Sequence, residues 1–233
     1  MYNPVSTYRI QFNKDFNFST FEAIIPYLYQ LGIKTIYASP IFEAVPGSNH
    51  GYDELNPLRI NPEIGTEEQF LAIHKRLDEY GIGWLQDIVP NHMAFHPGNK
   101  WLMDVLKNGA SSQYASYFDI DYNEKLMVPF LGKPLEEVIA DNEMKLANNG
   151  SDWYFDYYGN LFPLSKESSQ GITDNPDIAA LRKLTDRQHY RLCHWQETDS
   201  HINFRRFFSI APTSYSWPVC KCWLFIFIQH FTN

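Results

Sequence analysis

The sequence has 233 residues, of which 44% are apolar and 16% aromatic, and its formal net charge at pH 7 is −8. These values exclude a disordered chain, argue against a nucleic-acid partner held by its phosphates, and suit a small or neutral ligand. The opening residues show no basic and apolar leader, and no run approaches the ~20 apolar residues that cross a bilayer, so we expect a cytoplasmic protein without a membrane partner.

The first predicted elements are a strand and a helix. Residues 7–12 alternate polar and apolar side chains, which predicts a strand. Residues 18–31 repeat apolar side chains at helical spacing, which predicts a helix with Ser19 or Thr20 as its N-cap. Gly32 is a suitable stop for that helix because glycine readily adopts the left-handed backbone that ends one.

A second strand, a long loop, a second helix and a third strand follow. Residues 34–38 predict the second strand, and residues 41–64 predict the loop. Thr66 is a good N-cap for the next helix, Gly81 ends it, and residues 84–89 predict the third strand. One face of that helix is expected to carry Phe70, Leu71, Ile73 and Leu77.

The alternation of strands and helices predicts a parallel sheet with right-handed crossovers. Two α/β architectures fit this order, a doubly wound open sheet and a (β/α)8 TIM barrel. The long segments after the second and third strands favour the barrel, whose sites are built from such loops. A glycine-rich phosphate turn after the first strand is missing, which counts against a dinucleotide-binding sheet. We therefore predict the N-terminal part of a TIM barrel with a long insertion after strand three.

The rest of the chain has a different character. Residues 93–175 are rich in Tyr, Asn, Asp and Gly and predict an insertion on the third βα loop, and residues 177–197 predict a helix. From Ala211 onward the only charged side chain is that of Lys221. The three cysteines, Cys193, Cys220 and Cys222, give no disulfide framework and suit a reducing compartment. No second ligand pair accompanies the Cys-x-Cys motif, so we expect neither a metal nor another cofactor.

Two motifs could carry chemistry. Residues 87–92, Asp-Ile-Val-Pro-Asn-His, place an acid, an amide and an imidazole after the third strand, where barrel sites lie. Residues 50–53, His-Gly-Tyr-Asp, offer a flat ring for a sugar and a carboxylate for its hydroxyls. On spacing alone, a turn held by local backbone hydrogen bonds explains residues 87–92 equally well, and a structural loop is the default interpretation of residues 50–53.

Taken in order, these motifs resemble the α-amylase superfamily, glycoside hydrolase family 13, and within it the maltooligosyltrehalose synthases. Residues 87–92 match the superfamily's first signature. Segments that look like the synthases occupy residues 6–12, 46–53, 61–65, 104–109, 117–121, 188–192 and 202–208. The resemblance covers residues 1–208.

The resemblance implies an intramolecular transglucosylation in trehalose biosynthesis, by a retaining mechanism with two carboxylates. The α-1,4 bond at the reducing end of a maltooligosaccharide becomes the α,α-1,1 bond of a trehalose unit. By matching position, Tyr52 would stack on the sugar at the cleavage subsite, Asp53 would shape that subsite, and His92 would bind a hydroxyl of the same ring. The residues expected to organise the barrel mouth are His50, Asp87 and Asn91.

The resemblance also implies how the chain divides into domains and that its catalytic carboxylates are missing. Residues 1–92 would form the first three βα units, 93–175 the insertion, 176–208 a helical return toward strand four, and 209–233 an aberrant tail. In the family, the nucleophile, the acid/base and the stabilising Asp follow strands four, five and seven, and nothing after residue 208 matches them. We therefore expect a frameshift or truncation near Ser209 and a chain that is inactive alone.

Three alternatives remain open. Acids of the insertion, namely Asp119, Asp121 and Asp156, could replace the missing carboxylates, although the retaining mechanism needs two held ~5 Å apart. The chain could be a glucan-binding remnant without catalysis. It could also be another hydrolase of the α-amylase type.

Overall fold

The computed structural model describes residues 5–90, 92–172 and 176–200. Asn91, Cys220, Cys222 and the predicted tail lie outside the described residues. The chain divides into two compact units, and the division between them falls after Asn99.

The first unit is built on a three-stranded parallel sheet in the order β1–β2–β5. Its elements are β1 (Thr7–Ile10), α1 (Phe18–Gln30), β2 (Thr35–Ala38), β3 (Phe42–Ala44), β4 (Glu54–Ile60), α2 (Glu67–Glu79) and β5 (Gly83–Gln86). Helix α1 connects β1 to β2, and α2 lies in the connection from β2 to β5. This confirms the α/β class and gives the βαβαβ order with which a (β/α)8 barrel begins. All three strands are shorter than predicted. Strand β1 ends at Ile10 rather than residue 12, β2 begins at Thr35 rather than residue 34, and β5 ends at Gln86 rather than residue 89.

The core of this unit lies between the sheet and its two helices. Phe18, Phe21 and Ile25 of α1 are fully buried, as is Ile36 of β2. The ring of Phe12 meets those of Phe18 and Phe21 edge-on, at centroid distances of 5.2 and 5.5 Å. Because burial of each such side chain contributes about 1.5–3 kcal/mol, this apolar face holds α1 on the sheet.

Two details of the helices differ from the prediction. Asn17 caps α1 by accepting a hydrogen bond from the amide of Thr20 at 3.1 Å, so the prediction of Ser19 or Thr20 as N-cap is wrong. Helix α2 begins as predicted with Thr66, which forms a capping box with Gln69. Its expected apolar face holds except at Leu71, which is 58% exposed and points away from the core.

The predicted loop over residues 41–64 contains a hairpin instead. Strands β3 and β4 pair antiparallel, with Phe42 opposite Ile60 and Ala44 opposite Glu54. The register shifts twice between these ends, and β3 is three residues long, so neither strand gives a clear alternating pattern. The hairpin matters for the site because residues 45–53 form its turn.

The second unit contains two further sheets. Its elements are α3 (Lys100–Asn108), β6 (Leu126–Leu131), α4 (Leu135–Ala140), β7 (Met144–Asn148), β8 (Trp153–Tyr157), β9 (Asn160–Pro163), α5 (Ile178–Asp186) and β10 (Tyr190–His194). Strands β7, β8 and β9 form an antiparallel meander, and β10 pairs parallel with β6.

The predicted helix over residues 177–197 is wrong in its second half. Asp177 caps α5, which ends at Asp186, and residues 190–194 form β10. Tyr190 and Leu192 both point inward from that strand and are buried. Because a short apolar run fits both periods, only the pairing with β6 decides that this segment is a strand. None of the helices in the described ranges is long and apolar enough to cross a membrane.

Candidate functional site

The carboxyl ends of β1, β2 and β5 lie side by side and are tied together by hydrogen bonds. We call this sheet edge the mouth. The amide of Phe12 donates to Ser39 Oγ at 2.9 Å, which joins the chain after β1 to the end of β2. The amide of Asp87 donates to the carbonyl of Ala38 at 2.9 Å, and Gln86 Nε2 donates to the carbonyl of Ser39 at 2.9 Å. Asp87 therefore follows a strand whose end is held in place by hydrogen bonds.

The turn of the β3–β4 hairpin packs closely against the chain after β2 because residue 51 is a glycine. Gly51 has a φ of +74°, and a Cβ there would lie 2.8 Å from the carbonyl oxygen of Pro40. Only glycine fits this close approach without strain. Ser48 fixes the turn further, since its hydroxyl donates to Asp53 Oδ1 at 2.5 Å and accepts the amide of Gly51 at 3.1 Å.

Asp87 is the centre of the mouth's polar network. Its Oδ2 accepts hydrogen bonds from Tyr52 Oη at 2.5 Å, Tyr37 Oη at 3.1 Å and Arg9 Nη1 at 3.3 Å. Partial burial opposes ionisation of this carboxyl, but the three donors outweigh it and hold the pKa of Asp87 below its ordinary value. Asp87 is thus an ionised acceptor that is already engaged by three side chains.

Tyr52 is held at its hydroxyl by two charged neighbours. Its Oη donates to Asp87 and accepts from Arg9 Nη2 at 3.1 Å. The hydrogen bond to Asp87 raises the pKa of the Tyr52 phenol, and the bond from Arg9 partly offsets that rise. The phenol therefore stays protonated at neutral pH, with its hydroxyl fixed at the mouth and its ring half-buried.

The two histidines hold the backbone around Tyr52. His50 Nδ1 accepts the amide of Tyr52 at 3.0 Å, and the two rings stack with centroids 6.0 Å apart. His92 Nε2 lies 3.1 Å from the carbonyl oxygen of Tyr52, to which it donates. His50 Nδ1 is also 3.7 Å from Asp53 Oδ1. The structure thus brings Tyr52, Asp53, His50, His92 and Asp87 together, whereas Asn91 lies outside the described residues.

Two residues of this network were missed from the sequence. Arg9 and Tyr37 face each other across β1 and β2, and the guanidinium carbon of Arg9 lies 4.7 Å from the ring centroid of Tyr37. A signal did exist, because Arg9 and Gln11 are two residues apart in the strand predicted over residues 7–12, where they share one face and are unusually polar for a barrel strand. Gln11 Nε2 in turn donates to the carbonyl of His50 at 3.2 Å.

The acids proposed as replacements are used locally in the second unit. Asp156 Oδ1 accepts the amide of Gly159 at 2.8 Å, and Asp121 Oδ1 accepts the amide of Asn123 at 3.0 Å. Asp119 is exposed. Over the described ranges, no cluster of three or more His, Cys, Asp or Glu side chains is arranged to hold a metal ion.

The sequence and the fold of this chain are similar to those of known glucan-active proteins. The family model for the α-amylase catalytic domain matches residues 22–190. A putative maltooligosyl trehalose synthase of Mycobacterium tuberculosis is 35% identical over 218 residues, which are 89% of this chain and 26% of that protein. The solved structure of maltooligosyltrehalose synthase from Arthrobacter ramosus is 36% identical with a TM-score of 0.70, over 84% of this chain and 24% of that one.

A third relative is similar over a shorter range. A cyclomaltodextrinase of Geobacillus thermopakistaniensis is 43% identical over 96 residues, which are 41% of this chain and 16% of that protein. The similarity to the synthases therefore extends through the second unit, while that to the cyclomaltodextrinase covers less than half of the chain. The chain spans about a quarter of the length of the two synthases that it matches. The family model confirms the barrel type that the sequence predicts.

Proposed function

Since this chain belongs to the α-amylase family, we propose that it forms the front of a glucan-converting barrel with the activity of a maltooligosyltrehalose synthase. The reaction would move the reducing-end glucose of a maltooligosaccharide from an α-1,4 to an α,α-1,1 bond, as in trehalose biosynthesis. The extent of the similarity supports this choice, because it reaches across 89% of the chain only for the synthases among the relatives described above.

The observation that carries the proposal is the fixed ring of Tyr52 at the mouth. An aromatic ring held by its hydroxyl presents a rigid apolar face on which a pyranose ring can stack. We propose that Tyr52 stacks on the sugar at the cleavage subsite and that Asp53 shapes this subsite. His92 would hydrogen-bond a hydroxyl of the same ring. His50, Asp87 and Asn91 would organise the mouth around them.

Within this proposal, the described mouth binds glucan and does not cleave it. In a retaining mechanism one carboxylate attacks the anomeric carbon and a second group acts as acid and then as base. The resemblance assigns neither role to Asp87 or Asp53, and both carboxylates hold protein groups of the mouth, since Asp87 Oδ2 accepts from three donors and Asp53 Oδ1 accepts from Ser48. We propose that the 233-residue chain does not turn over maltooligosaccharide alone.

The sequence-based division of the chain is also retained as a proposal. Residues 93–175 would be an insertion on the third βα loop, 176–208 a return toward strand four, and 209–233 an aberrant tail. The scarcity of cysteine supports a cytoplasmic location.

Calorimetric titration of the 233-residue chain with maltoheptaose tests the binding site. We expect measurable binding that Tyr52→Ala weakens by about tenfold or more, which is the loss of about 1.4 kcal/mol of contact. Tyr27→Ala is the matched control, since Tyr27 is 59% exposed on α1 and belongs to no contact of the mouth. An equal effect of the two substitutions, or no binding by the wild-type chain, would contradict the proposed site.

A second candidate function is hydrolysis, which the 43% identity to a cyclomaltodextrinase favours locally. Incubation of the chain with maltoheptaose and measurement of reducing ends separates the two reactions. Hydrolysis would create reducing ends, the synthase reaction would consume them, and binding without turnover would leave their number unchanged. We expect no change.

A further inference from the structure

We propose that Arg9 is a positioning residue, which acts together with Asp87 to hold the Tyr52 ring in the orientation in which it stacks on sugar. The part of this inference that concerns sugar rests on the proposed function. The part that concerns the orientation of Tyr52 does not.

The guanidinium of Arg9 joins three parts of the mouth. Nη1 donates to Asp87 after β5 at 3.3 Å, and Nη2 donates to Tyr52 in the hairpin turn at 3.1 Å. Nη2 also lies 3.3 Å from Gln11 Oε1, and the guanidinium carbon lies over the ring of Tyr37. Arg9 itself stands on β1, in the middle of a hydrogen-bonded ladder with β2. A rigid strand therefore determines where a side chain of the turn lies.

The arrangement fixes the Tyr52 ring because the hydroxyl acts both as a donor and as an acceptor. The phenolic O–H donates a hydrogen bond to Asp87, and the phenolic oxygen accepts one from Arg9. A ring that rotated away from the mouth would break both charge-assisted hydrogen bonds at once. The planar fork of arginine presents two N–H groups at fixed positions, one for each partner, whereas the ammonium of lysine is a single point on a flexible stem and holds the two partners less rigidly.

A simpler role is also available to Arg9, namely neutralising Asp87 and thereby stabilising the fold. Removal of Arg9 disfavours the Tyr52 phenolate under either role, because a carboxylate that has lost its counter-ion also disfavours it. The two roles differ once the charge of Asp87 is removed. An Arg9 that only neutralises Asp87 then has no effect on the phenol, whereas an Arg9 that contacts the phenol still favours the phenolate.

The test is a pH titration of the 233-residue chain labelled with 3-fluorotyrosine and followed by fluorine NMR. The Tyr52 signal is assigned from its loss in Tyr52→Phe. We expect Asp87→Asn to lower the ionisation midpoint of Tyr52, and Arg9→Gln to raise that midpoint both in the wild-type chain and in the Asp87→Asn chain. Arg59→Gln is the matched control, because Arg59 makes an ion pair with Glu43 at 2.9 Å on the hairpin and should leave the midpoint unchanged.

Maltoheptaose titration provides the second measurement. We expect Arg9→Gln to weaken binding by about tenfold, Arg9→Lys to weaken it less, and Arg59→Gln to leave it unchanged. Arg9→Lys also serves where Arg9→Gln fails to fold. An unshifted Tyr52 midpoint when Arg9→Gln is introduced into the Asp87→Asn chain would overturn the positioning role, as would unchanged affinity in both Arg9 variants. Absence of binding by the wild-type chain would refute the proposed function instead, and the fluorine titration would then decide the role of Arg9 alone.

Discussion

A buried carboxyl at the start of β4 gives this chain a stability that depends on pH. Glu54 is 4% exposed and lies opposite Ala44 in the hairpin, and its carbonyl accepts the amide of Ala94 at 2.8 Å. Burial disfavours the charged carboxylate and raises the pKa of Glu54 from 4.5 to about 7. The change to test is Glu54→Gln, which keeps the shape of the side chain and removes its charge.

The magnitude follows from the raised pKa. A change from 4.5 to about 7 corresponds to about 3 kcal/mol in favour of the protonated form in the folded state. Between these pH values the folded chain keeps a proton that the unfolded chain releases. The free energy of unfolding therefore falls as pH rises through this window and is constant above it, as far as Glu54 is concerned. In the Glu54→Gln variant, the free energy of unfolding should not show this decline with rising pH.

The assay is urea denaturation of the wild-type chain and of Glu54→Gln at intervals from pH 4.5 to about pH 8. We expect the stability of the wild type relative to the variant to decline by about 3 kcal/mol across the series. Titration of the histidines cancels in this difference because both chains contain them. Glu79→Gln, on the exposed surface of α2, is the control and should follow the wild type. Parallel curves for the wild type and Glu54→Gln would refute the argument from burial.

Three further substitutions test the packing that positions the mouth, each by urea denaturation at neutral pH. Gly51→Ala should destabilise the chain by at least about 1 kcal/mol more than Gly47→Ala, because both have positive φ but only the first Cβ would meet backbone within 3 Å; equal losses would contradict this. Ile73→Ala should lower stability by about 2–5 kcal/mol and the exposed Leu71→Ala by less than about 0.5 kcal/mol. Similar losses would contradict the burial of one side chain and the exposure of the other. Asn17→Ala should remove about 1 kcal/mol with the cap of α1, and an unchanged midpoint would show that the cap contributes nothing.

The candidate site could be predicted from sequence only in part. The motif that contains Tyr52 and the motif that contains Asp87 both stand after predicted strands, and the carboxyl ends of parallel strands meet at one edge. The sequence therefore placed them on the same side of the sheet. The polar face that Arg9 shares with Gln11 marks Arg9 as unusual, but the sequence could not place it with Tyr52 and Asp87, because nothing in a short strand identifies the partner of a charged side chain.

Local patterns determined the alternation of strands and helices in residues 7–86, since apolar spacing and caps such as Thr66 act within a few residues of the chain. Contacts between distant segments decided the rest. Residues 190–194 are a strand because β6 lies beside them, and residues 41–64 contain a hairpin whose short strands pair only in the folded chain. The same holds for the chemistry of the mouth. Asp87 is an engaged acceptor rather than a free carboxylate because three donors from separate segments converge on it, and no local sequence pattern encodes that convergence.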